Sequence, residues 1–285
     1  MTYSWLITGA SSGLGASLAI AALRAGHEVA AAAGDIGRAR PANPDVENLG
    51  GIWLRVDVTS EDTQSIIQRT VEEKKINVIV NNAGFALCGV METHTDHQIY
   101  DQFNTNVFGP FRVIRGALPS FRTRRNGTIV IISSTSGISG IAGYSMYAGT
   151  KFALEGASEA LAMELAPFNI RVLIIEPGAF RTNFQNAIVG SHAAMPESYI
   201  GSPADTSIRS KIGAHGRQPG DPDKAATAIV EEVTGEGRGQ DLNELLRLPL
   251  GKDAAVRANN KITAFRENVE KVKHISESAV FPEGQ

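Results

Sequence analysis

Residues Ser4 to Gly15 read SWLITGASSGLG, and the fold follows from this stretch. The apolar run Ser4–Thr8 predicts a short buried strand. The glycines after it permit a tight turn, and an alanine- and leucine-rich helix is predicted from about Leu14 to Ala25. Such a turn lets the backbone approach a pyrophosphate, to which the helix N-terminus offers free N–H groups and a positive dipole end. The stretch therefore favours a dinucleotide-binding α/β domain over the alternative, a plain strand–helix turn.

The alternation of strand and helix continues along the chain. Further strands are predicted at Val29–Ala33, Ile52–Val58, Ile76–Val80, Thr128–Ser133, Arg171–Glu176 and, at the sheet edge, Leu245–Leu248. Helices are predicted from Thr59–Asp62 as far as Lys75, and at Thr95–Arg122, Ser145–Ala166 and Asp221–Thr234. Short apolar strands that alternate with helices are typical of a parallel sheet covered on both faces. We predict an α/β fold with a doubly wound parallel sheet of about seven strands, which binds ligands at the carboxyl ends of its strands.

Two later segments have a different character. Residues 179–221 hold many Gly, Pro, Ser and His residues and little apolar periodicity, which predicts a substrate-binding loop or lid, or else disorder. Residues 252–278 carry apolar residues at helical spacing and charges on the other face. They predict a C-terminal amphipathic helix packed on the domain or on another subunit. We expect residues 1–285 to form a single domain.

The composition limits the classes of function and partner that the chain can be expected to have. The chain has 285 residues, of which 42% are hydrophobic and 20% charged, and its formal net charge is -3. These values are ordinary for a globular enzyme and give no reason to expect a nucleic-acid or membrane partner. The one cysteine, Cys88, cannot form an internal disulfide, and no Cys/His cluster has the spacing of a metal site. We expect no metal and a reducing, cytoplasmic setting.

Tyr147 and Lys151 stand at positions i and i+4 of a predicted helix and therefore share one helix face. A lysine ammonium beside a phenol favours the phenolate, so we expect the Tyr147 pKa to fall from about 10 toward neutrality. A tyrosine of that kind can exchange a proton with a bound alcohol or carbonyl group. The alternative is a solvated helix face on which the two residues meet by chance.

Several motifs occur in order along the chain. These are Thr8–Gly15 (Thr-Gly-x-x-x-Gly-x-Gly), Asp57-Val58 at the end of the third strand, Asn81–Gly84 (Asn-Asn-Ala-Gly), Ser134, Tyr147-x-x-x-Lys151, and Pro177-Gly178 with Thr182. Together they resemble the short-chain dehydrogenase/reductase family, closely from about Ser4 to Phe184 and more loosely beyond. The resemblance implies a Rossmann-type fold and a set of cofactor contacts. These contacts are Gly9, Ser11, Ser12, Gly13, Leu14, Gly15, Asp57, Val58, Asn81, Ala83, Gly84, Tyr147, Lys151, Pro177, Gly178 and Thr182.

The resemblance also implies a catalytic tetrad of Asn106, Ser134, Tyr147 and Lys151. In reduction, Tyr147 would give a proton to the substrate oxygen and Ser134 would hydrogen-bond the same oxygen. Lys151 would lower the tyrosine pKa and bind the nicotinamide ribose, while Asn106 would hold a water that links Lys151 to solvent.

Structural alternatives stay open for single residues. Ser134 could cap the end of a strand, and its neighbour Ser133 is set aside on spacing alone. Asn106 could hydrogen-bond backbone across a helix bend. Asp57 could cap the following helix, and Asn81 and Asn82 could be turn residues.

The residues after the second strand bear on the choice between NAD and NADP. An acidic residue there binds a ribose 2′-hydroxyl and an arginine accepts a 2′-phosphate, but Ala33 and Gly34 occupy the two positions. Arg38 and Arg40 are close enough along the chain to reach a 2′-phosphate, whereas Asp35 could bind a 2′-hydroxyl. The alternative is a solvated loop with scattered charge. Because no carboxylate repels a phosphate at the usual position, we favour NADP(H) over NAD(H), with Arg38 as a contact.

The predicted function is an NAD(P)(H)-dependent oxidoreductase, and more specifically an NADPH-dependent carbonyl reductase or secondary-alcohol dehydrogenase. Phe85–Met91, Gly137–Tyr144 and residues 179–221 mix apolar residues with glycines, which predicts an apolar small-molecule carbonyl or alcohol substrate. The alternative is a non-redox isomerase or cyclase, or a dinucleotide-sensing binding module. By resemblance we expect a homo-oligomer, a dimer or tetramer, paired through the helices Thr95–Arg122 and Ser145–Ala166.

Overall fold

Strands and helices alternate along the chain in a computed structural model, which describes residues 1–213, 216–242 and 245–281. The strands are β1 Ser4–Thr8, β2 Glu28–Ala33, β3 Ile52–Arg55, β4 Val78–Asn81, β5 Ala86–Cys88, β6 Gly127–Ile132, β7 Ile170–Pro177, β8 Ile188–Gly190 and β9 Arg247–Leu250. The α-helices are α1 Gly13–Arg24, α2 Ile36–Ala42, α3 Asp45–Asn48, α4 Thr63–Glu73, α5 Asp96–Phe103, α6 Gly109–Arg124, α7 Thr135–Ile138, α8 Ser145–Leu165, α9 Pro203–Gly213, α10 Pro222–Thr234 and α11 Lys252–Ser278. A π-helical turn, Asn104–Phe108, joins α5 to α6.

The main sheet has seven parallel strands in the order β3-β2-β1-β4-β6-β7-β9, which confirms the predicted doubly wound α/β fold. The chain winds outward from β1 to β3 and then returns to place β4 on the other side of β1. The winding direction therefore switches between β1 and β4, and ligands of such sheets bind outside the carboxyl ends of the strands at this point. The third strand is shorter than predicted, since it ends at Arg55.

Each face of the sheet is buried against its own layer of helices. Side chains of successive strand residues point to opposite faces, so Trp5 and Ile7 join the core beneath α1 and α10, while Leu6 joins the core beneath α4, α6 and α8. All three residues are fully buried. Burial on both faces explains why the parallel strands read as unbroken apolar runs in the sequence.

Residues 179–221 contain more regular structure than the loop or disorder expected from the sequence. β8 pairs with β5 in a small two-stranded parallel sheet, and α9 follows it. Ile208 of α9 packs over Gly143, close to the start of α8. Two of the residues in this segment, 214 and 215, lie outside the described part of the chain. The short β8 strand and the polar α9 helix explain why apolar periodicity did not reveal them.

Helix α11 has the predicted bounds but packs on the domain only near its start. Ala254 is its buried residue, whereas the apolar side chains of Ile262, Phe265 and Val269 are 56%, 65% and 49% exposed. The expectation that the helix packs along the domain is therefore wrong for most of its length, and its packing on another subunit stays a prediction. None of the helices within the described ranges is long and apolar enough to cross a membrane.

Candidate active site

The glycine-rich turn is fixed to β4 by Asn82. Its side-chain amide donates hydrogen bonds to the carbonyls of Thr8 and Gly9, both at 3.0 Å, and its backbone N–H donates to the Thr8 hydroxyl at 3.0 Å. Gly9 has a φ of +64°, and a Cβ there would lie 2.8 Å from the Cα of Ala83, so a side chain would be strained and crowded. Asn82 thus joins two predicted cofactor motifs.

The residues around this turn fit a bound dinucleotide. Helix α1 begins at Gly13 without a side-chain cap, so its first N–H groups are available to phosphate oxygens. The side-chain amide of Asn81 is buried at the switch point, and neither of its polar atoms has a hydrogen-bond partner among the described residues. Thr182 approaches Gly13 so closely that a Cβ on the glycine would lie 3.3 Å from the Thr182 Cβ. Segments after β1, β4 and β7 thus converge on one groove, as the sequence predicted.

The other predicted cofactor contacts lie on the same segments. Ser11, Ser12, Leu14 and Gly15 belong to the turn and first turn of α1, Ala83 and Gly84 follow β4, and Pro177 and Gly178 end and follow β7. The Gly178 N–H donates to the Leu250 carbonyl at 2.9 Å, so this segment is also tied to the edge strand β9. Their contacts with a cofactor stay predictions.

Three charged residues lie after β2, where we expect the ribose that carries the 2′-hydroxyl of NAD or the 2′-phosphate of NADP. The Asp35 carboxylate accepts a hydrogen bond from the Arg38 backbone N–H at 3.1 Å and caps α2. The Arg40 guanidinium pairs with Glu47 at 2.9 Å. The Arg38 side chain is exposed and forms no ion pair within the described part of the chain. Of the two arginines, Arg38 is therefore the one whose charge is available to a ligand.

Asp57 lies beyond the end of β3 rather than within it. One oxygen of its carboxylate accepts hydrogen bonds from the backbone N–H and the hydroxyl of Thr59, at 2.9 Å and 2.7 Å. These bonds shape the turn before α4, while the next residue, Val58, is buried against Gly109. Asp57 does not cap α4, whose N-cap residue is Asp62, so the structural alternative for Asp57 is wrong. Its contact with a cofactor stays a prediction.

Tyr147 is buried at the start of α8, beside Ser134. Burial raises the pKa of its phenol to about 12, and a hydrogen bond with Ser134 acts in the opposite direction. The prediction that its pKa falls toward neutrality is wrong for this state of the protein. The cause is that desolvation disfavours the phenolate, while the Lys151 ammonium lies 5.7 Å from the centre of the ring. At neutral pH, Tyr147 therefore holds its proton.

Lys151 is buried one helical turn further along α8. Its ammonium donates a hydrogen bond to the Ile132 carbonyl, at 2.8 Å, at the carboxyl end of β6. Burial lowers the pKa of the lysine to about 8, and the negative charge of Glu155 acts against this shift. The Lys151 ammonium thus loses its proton more readily than that of a free lysine, and it lies between the phenol of Tyr147 and the carboxylate of Glu155.

Ser134 and Ser133 have different partners. The Ser134 hydroxyl accepts a hydrogen bond from the Ser136 N–H at 3.1 Å and caps α7, rather than the end of the strand. The same hydroxyl also faces Tyr147. Ser133 instead donates to the carboxylate of Glu155 in the interior. The geometry therefore supports the choice of Ser134 that spacing suggested.

Asn106 occupies the π-helical turn between α5 and α6. Its side-chain amide donates to the Phe85 carbonyl at 2.9 Å and to the Thr150 hydroxyl at 3.2 Å, and its oxygen accepts from the Phe85 N–H at 3.1 Å. Asn106 thereby joins the helix bend to the strand β5 region and to α8. This is the structural role that the sequence left open, and a bound water stays a prediction.

A buried charge network next to the tetrad was missed by sequence reasoning. Arg247 of β9 contacts the carboxylates of Glu155 on α8, at 2.6 Å, and of Glu176 on β7. Both carboxylates are buried, and burial followed by the charge of Glu155 raises the pKa of Glu176. The signal available in the sequence was the spacing of Tyr147, Lys151 and Glu155 at successive i+4 positions, which places all three on one helix face.

Apolar side chains form the substrate side of the site. Tyr147 belongs to a buried cluster with Ala86, Cys88 and Tyr144, against which Ile141 and two other isoleucines, Ile188 and Ile208, are packed. The ring of Phe184 lies 6.1 Å from that of Tyr147. Of the predicted apolar lining residues, Ile141 and Phe184 reach the tyrosine, whereas Met91 is largely exposed. Within the described ranges, no group of three potential metal-ligating side chains is present.

A proton donor buried at the carboxyl edge of a dinucleotide-type sheet is the arrangement of a nicotinamide-dependent oxidoreductase. A family model described as short chain dehydrogenase matches residues 4–192. The chain therefore belongs to the short-chain dehydrogenase/reductase family, and it is an NAD(P)-dependent oxidoreductase.

Relatives and solved structures agree with this assignment. Oxidoreductase claN of Passalora fulva is 50% identical over 214 residues, which cover 75% of this chain and 97% of that protein. The 3-ketodihydrosphingosine reductase of Bacteroides thetaiotaomicron is 36% identical over 75% of this chain and 80% of its own. A short-chain dehydrogenase from Streptomyces avermitilis superposes with a TM-score of 0.86 at 35% identity, over 99% and 100% of the two chains. A short-chain dehydrogenase from Sphingobium yanoikuyae, solved in complex with NADPH, superposes with a TM-score of 0.67 at 25% identity, over 99% of this chain and 98% of its own.

Proposed function

We propose that the protein is an NADPH-dependent carbonyl reductase that acts on a ketone with an apolar body. The observation that carries the proposal is the buried phenol of Tyr147, which has its pKa raised to about 12 and lies beside the Ser134 hydroxyl. A phenol that keeps its proton at neutral pH is a proton donor, and reduction of a carbonyl needs a donor at the oxygen. Reduction requires the protonated form of the phenol, which supports the proposed direction.

The residues divide the work of proton transfer. A bound NADPH supplies the hydride. Tyr147 donates its proton to the substrate oxygen, and Ser134 hydrogen-bonds that oxygen and places it. As the phenol loses its proton, the positive charge of Lys151 stabilises the phenolate that forms. Asn106 holds the helix bend beside this group in place. We propose that Lys151 then returns a proton to the Tyr147 phenolate and takes one back from solvent through a water near Asn106.

The preference for NADPH rests on Arg38. Asp35 uses one carboxylate oxygen to cap α2, and Arg40 is paired with Glu47, which leaves Arg38 as the cation of this loop without an ion-pair partner among the described residues. Arg38 is exposed next to the expected position of the 2′-phosphate. The NADPH complex of the Sphingobium yanoikuyae neighbour also supports this choice.

The apolar substrate body is inferred from the side chains around Tyr147. Phe184, Ile141 and Tyr144 present an apolar surface to the tyrosine and offer few polar groups to a ligand. The reductase of Bacteroides thetaiotaomicron is named for a ketone on a long-chain base, and this agrees with an apolar substrate here.

The test compares two tyrosines that are buried side by side. Tyr147→Phe keeps the ring and removes the proton, so we expect it to abolish NADPH oxidation with a panel of apolar ketones while NADPH binding, followed by fluorescence, is retained. Tyr144→Phe is the matched comparison, because Tyr144 is buried in the same cluster and its hydroxyl faces Cys88 rather than Ser134. It should retain most of the activity.

Near-normal turnover by Tyr147→Phe would refute the assignment of Tyr147 as the proton donor. Failure of the unaltered protein to bind either nicotinamide cofactor would instead favour the isomerase, cyclase or binding-module alternative.

A further inference from the structure

A second cleft, of about 720 Å³, opens between the start of α11 and the loop that follows α7. Ser139 lines one side, and Lys252, Arg257 and Lys261 line the α11 side together with Asn260. No part of the mechanism above uses these residues. The cleft is large enough to hold a sizeable part of a small-molecule ligand.

The charge within the cleft is predominantly positive. Its lining contains three basic side chains and one acidic one, Asp253. The Asp253 carboxylate accepts a hydrogen bond from the Ala179 N–H at 2.8 Å, so it is engaged in holding the segment after β7. Lys252, Arg257 and Lys261 form no ion pair with any carboxylate in the described ranges. The cationic charge of the cleft is therefore available to a ligand.

Arg257 is held in position, and a fourth cation lies close to it. Its guanidinium donates a hydrogen bond to the Ser139 hydroxyl at 3.4 Å. The other N–H groups of this planar guanidinium can still bind a ligand. Lys211 of α9 lies near enough that, after burial, the charge of Arg257 lowers its pKa, while Asp253 raises it. Cations brought together in this way repel one another, and an anion between them relieves the repulsion.

The cleft lies next to two segments that lead to the residues of the active site. Ser139 follows α7, which Ser134 caps, and Ile141 of the same loop packs against the Tyr147 cluster. On the other side, Asp253 packs against Gly178, at the end of the strand that leads into the nicotinamide side of the groove. A substrate that reaches from Tyr147 over the apolar wall would therefore enter this cleft with its far end.

We propose that the cleft is an anion-binding subsite for the substrate, which holds a carboxylate or phosphate group while the ketone lies at Tyr147. Arg257 forms a bidentate contact with the anion, and Lys252 and Lys261 supply additional charge. The inference rests on the proposed reductase function and narrows its substrate to an amphiphile, with an apolar body between a ketone and an anionic end.

The test uses substrate pairs that differ in charge alone. One arm compares a medium-chain keto acid with its methyl ester, and the other compares a phosphorylated hydroxyketone with its unphosphorylated parent. Loss of one charge-assisted contact should raise KM about tenfold. We expect Arg257→Gln to raise KM by that factor for the anionic member of at least one pair, with kcat and the neutral member unchanged. The arm that responds identifies the anion.

Arg266→Gln is the matched control, since Arg266 lies on α11 outside the cleft and should leave both members unaffected. Equal KM values for charged and neutral substrates, unchanged by Arg257→Gln, would overturn the subsite and leave the reductase function intact.

A direct binding measurement separates the two proposals. Isothermal titration calorimetry of the same keto acid and phosphorylated ketone, on protein without cofactor, should show binding that Arg257→Gln weakens and Arg266→Gln does not. If the protein binds these anions through Arg257 but reduces no ketone, the anion subsite is supported and the proposed reductase function is refuted. Absence of binding for both anions would reject the subsite whatever the activity.

Discussion

Replacement of Arg247 by methionine should destabilise the protein in a pH-dependent way. Arg247 contacts three carboxylates: Glu155 at 2.6 Å, Glu159 at 2.8 Å and Glu176. The side chains of Glu155 and Glu176 are 4% and 2% exposed, whereas that of Arg247 is 34% exposed. Methionine keeps much of the arginine's apolar stem but leaves two buried carboxylates without their cation.

The magnitude follows from the burial of the two partners. Removal of one member of a buried ion pair costs about 3–5 kcal/mol, because a charge remains buried without compensation. Since Arg247 itself is about a third exposed, solvent screening places the expected loss at about 3 kcal/mol, near the lower end. A surface arginine offers the comparison. Arg238 pairs with Glu231 at 2.6 Å and is 64% exposed, so Arg238→Met should cost less than about 1 kcal/mol.

The pH dependence has a definite sign. Burial, and then the charge of Glu155, raise the pKa of Glu176 above its unfolded value, while Arg247 lowers it. A raised folded pKa stabilises the protein below the unfolded pKa, and this contribution is lost as the pH rises through the folded pKa. Arg247→Met raises the folded pKa of Glu176 further, so the variant can bind a proton at low pH and recover stability.

Urea denaturation of both arginine variants and the unaltered protein provides the measurement. We expect the loss for Arg247→Met to be about 3 kcal/mol near pH 8 and smaller near pH 5. The loss for Arg238→Met should be small at both values. A loss for Arg247→Met that is the same at both pH values, or no larger than that of Arg238→Met, would refute the reasoning.

Two further predictions concern the cofactor and the lysine. Arg38→Gln should raise KM for NADPH about tenfold without changing KM for NADH, since one charge-assisted contact to the 2′-phosphate is lost. Arg40→Gln is the control, because Arg40 is already paired with Glu47. Equal effects of Arg38→Gln on the KM values of both cofactors would contradict the role of Arg38. Because burial lowers the pKa of Lys151 to about 8, kcat/KM for ketone reduction should fall as the pH rises through that value and the ammonium that stabilises the Tyr147 phenolate is neutralised. A pH–rate profile that is flat to about pH 10 would exclude this dependence on Lys151.

The fold and the position of the site could be read from the sequence for physical reasons. Parallel strands buried on both faces must be apolar throughout, so they are conspicuous, and Ser4–Thr8 was predicted with its observed bounds. Residues at the carboxyl ends of such strands must meet, which is why the turn at Gly9 and the groove at Asn81 could be placed together. The i+4 spacing of Tyr147 and Lys151 placed both side chains on one helix face.

The rest depends on tertiary environment. The sequence gives the charge of Lys151 but not the burial of Tyr147, and burial decides the direction of the phenol's pKa shift. The pair of Arg247 and Glu155 joins residues from β9 and α8 that are distant along the chain, so local spacing cannot reveal it. The small sheet of β5 and β8 is too short for a periodic signal.

The position of Arg247 in the chain has a consequence for biosynthesis. The serine, tyrosine and lysine of the site are synthesised well before this arginine, which pairs through β9 with Ile174 of β7 at the sheet edge. A nascent chain that has emerged only as far as β7 already contains the reactive side chains, yet its buried Glu155 and Glu176 lack their cation. The electrostatic environment of Lys151 is complete only when the last strand has joined the sheet. Assembly of the sheet edge thereby supplies the cation that these two carboxylates require.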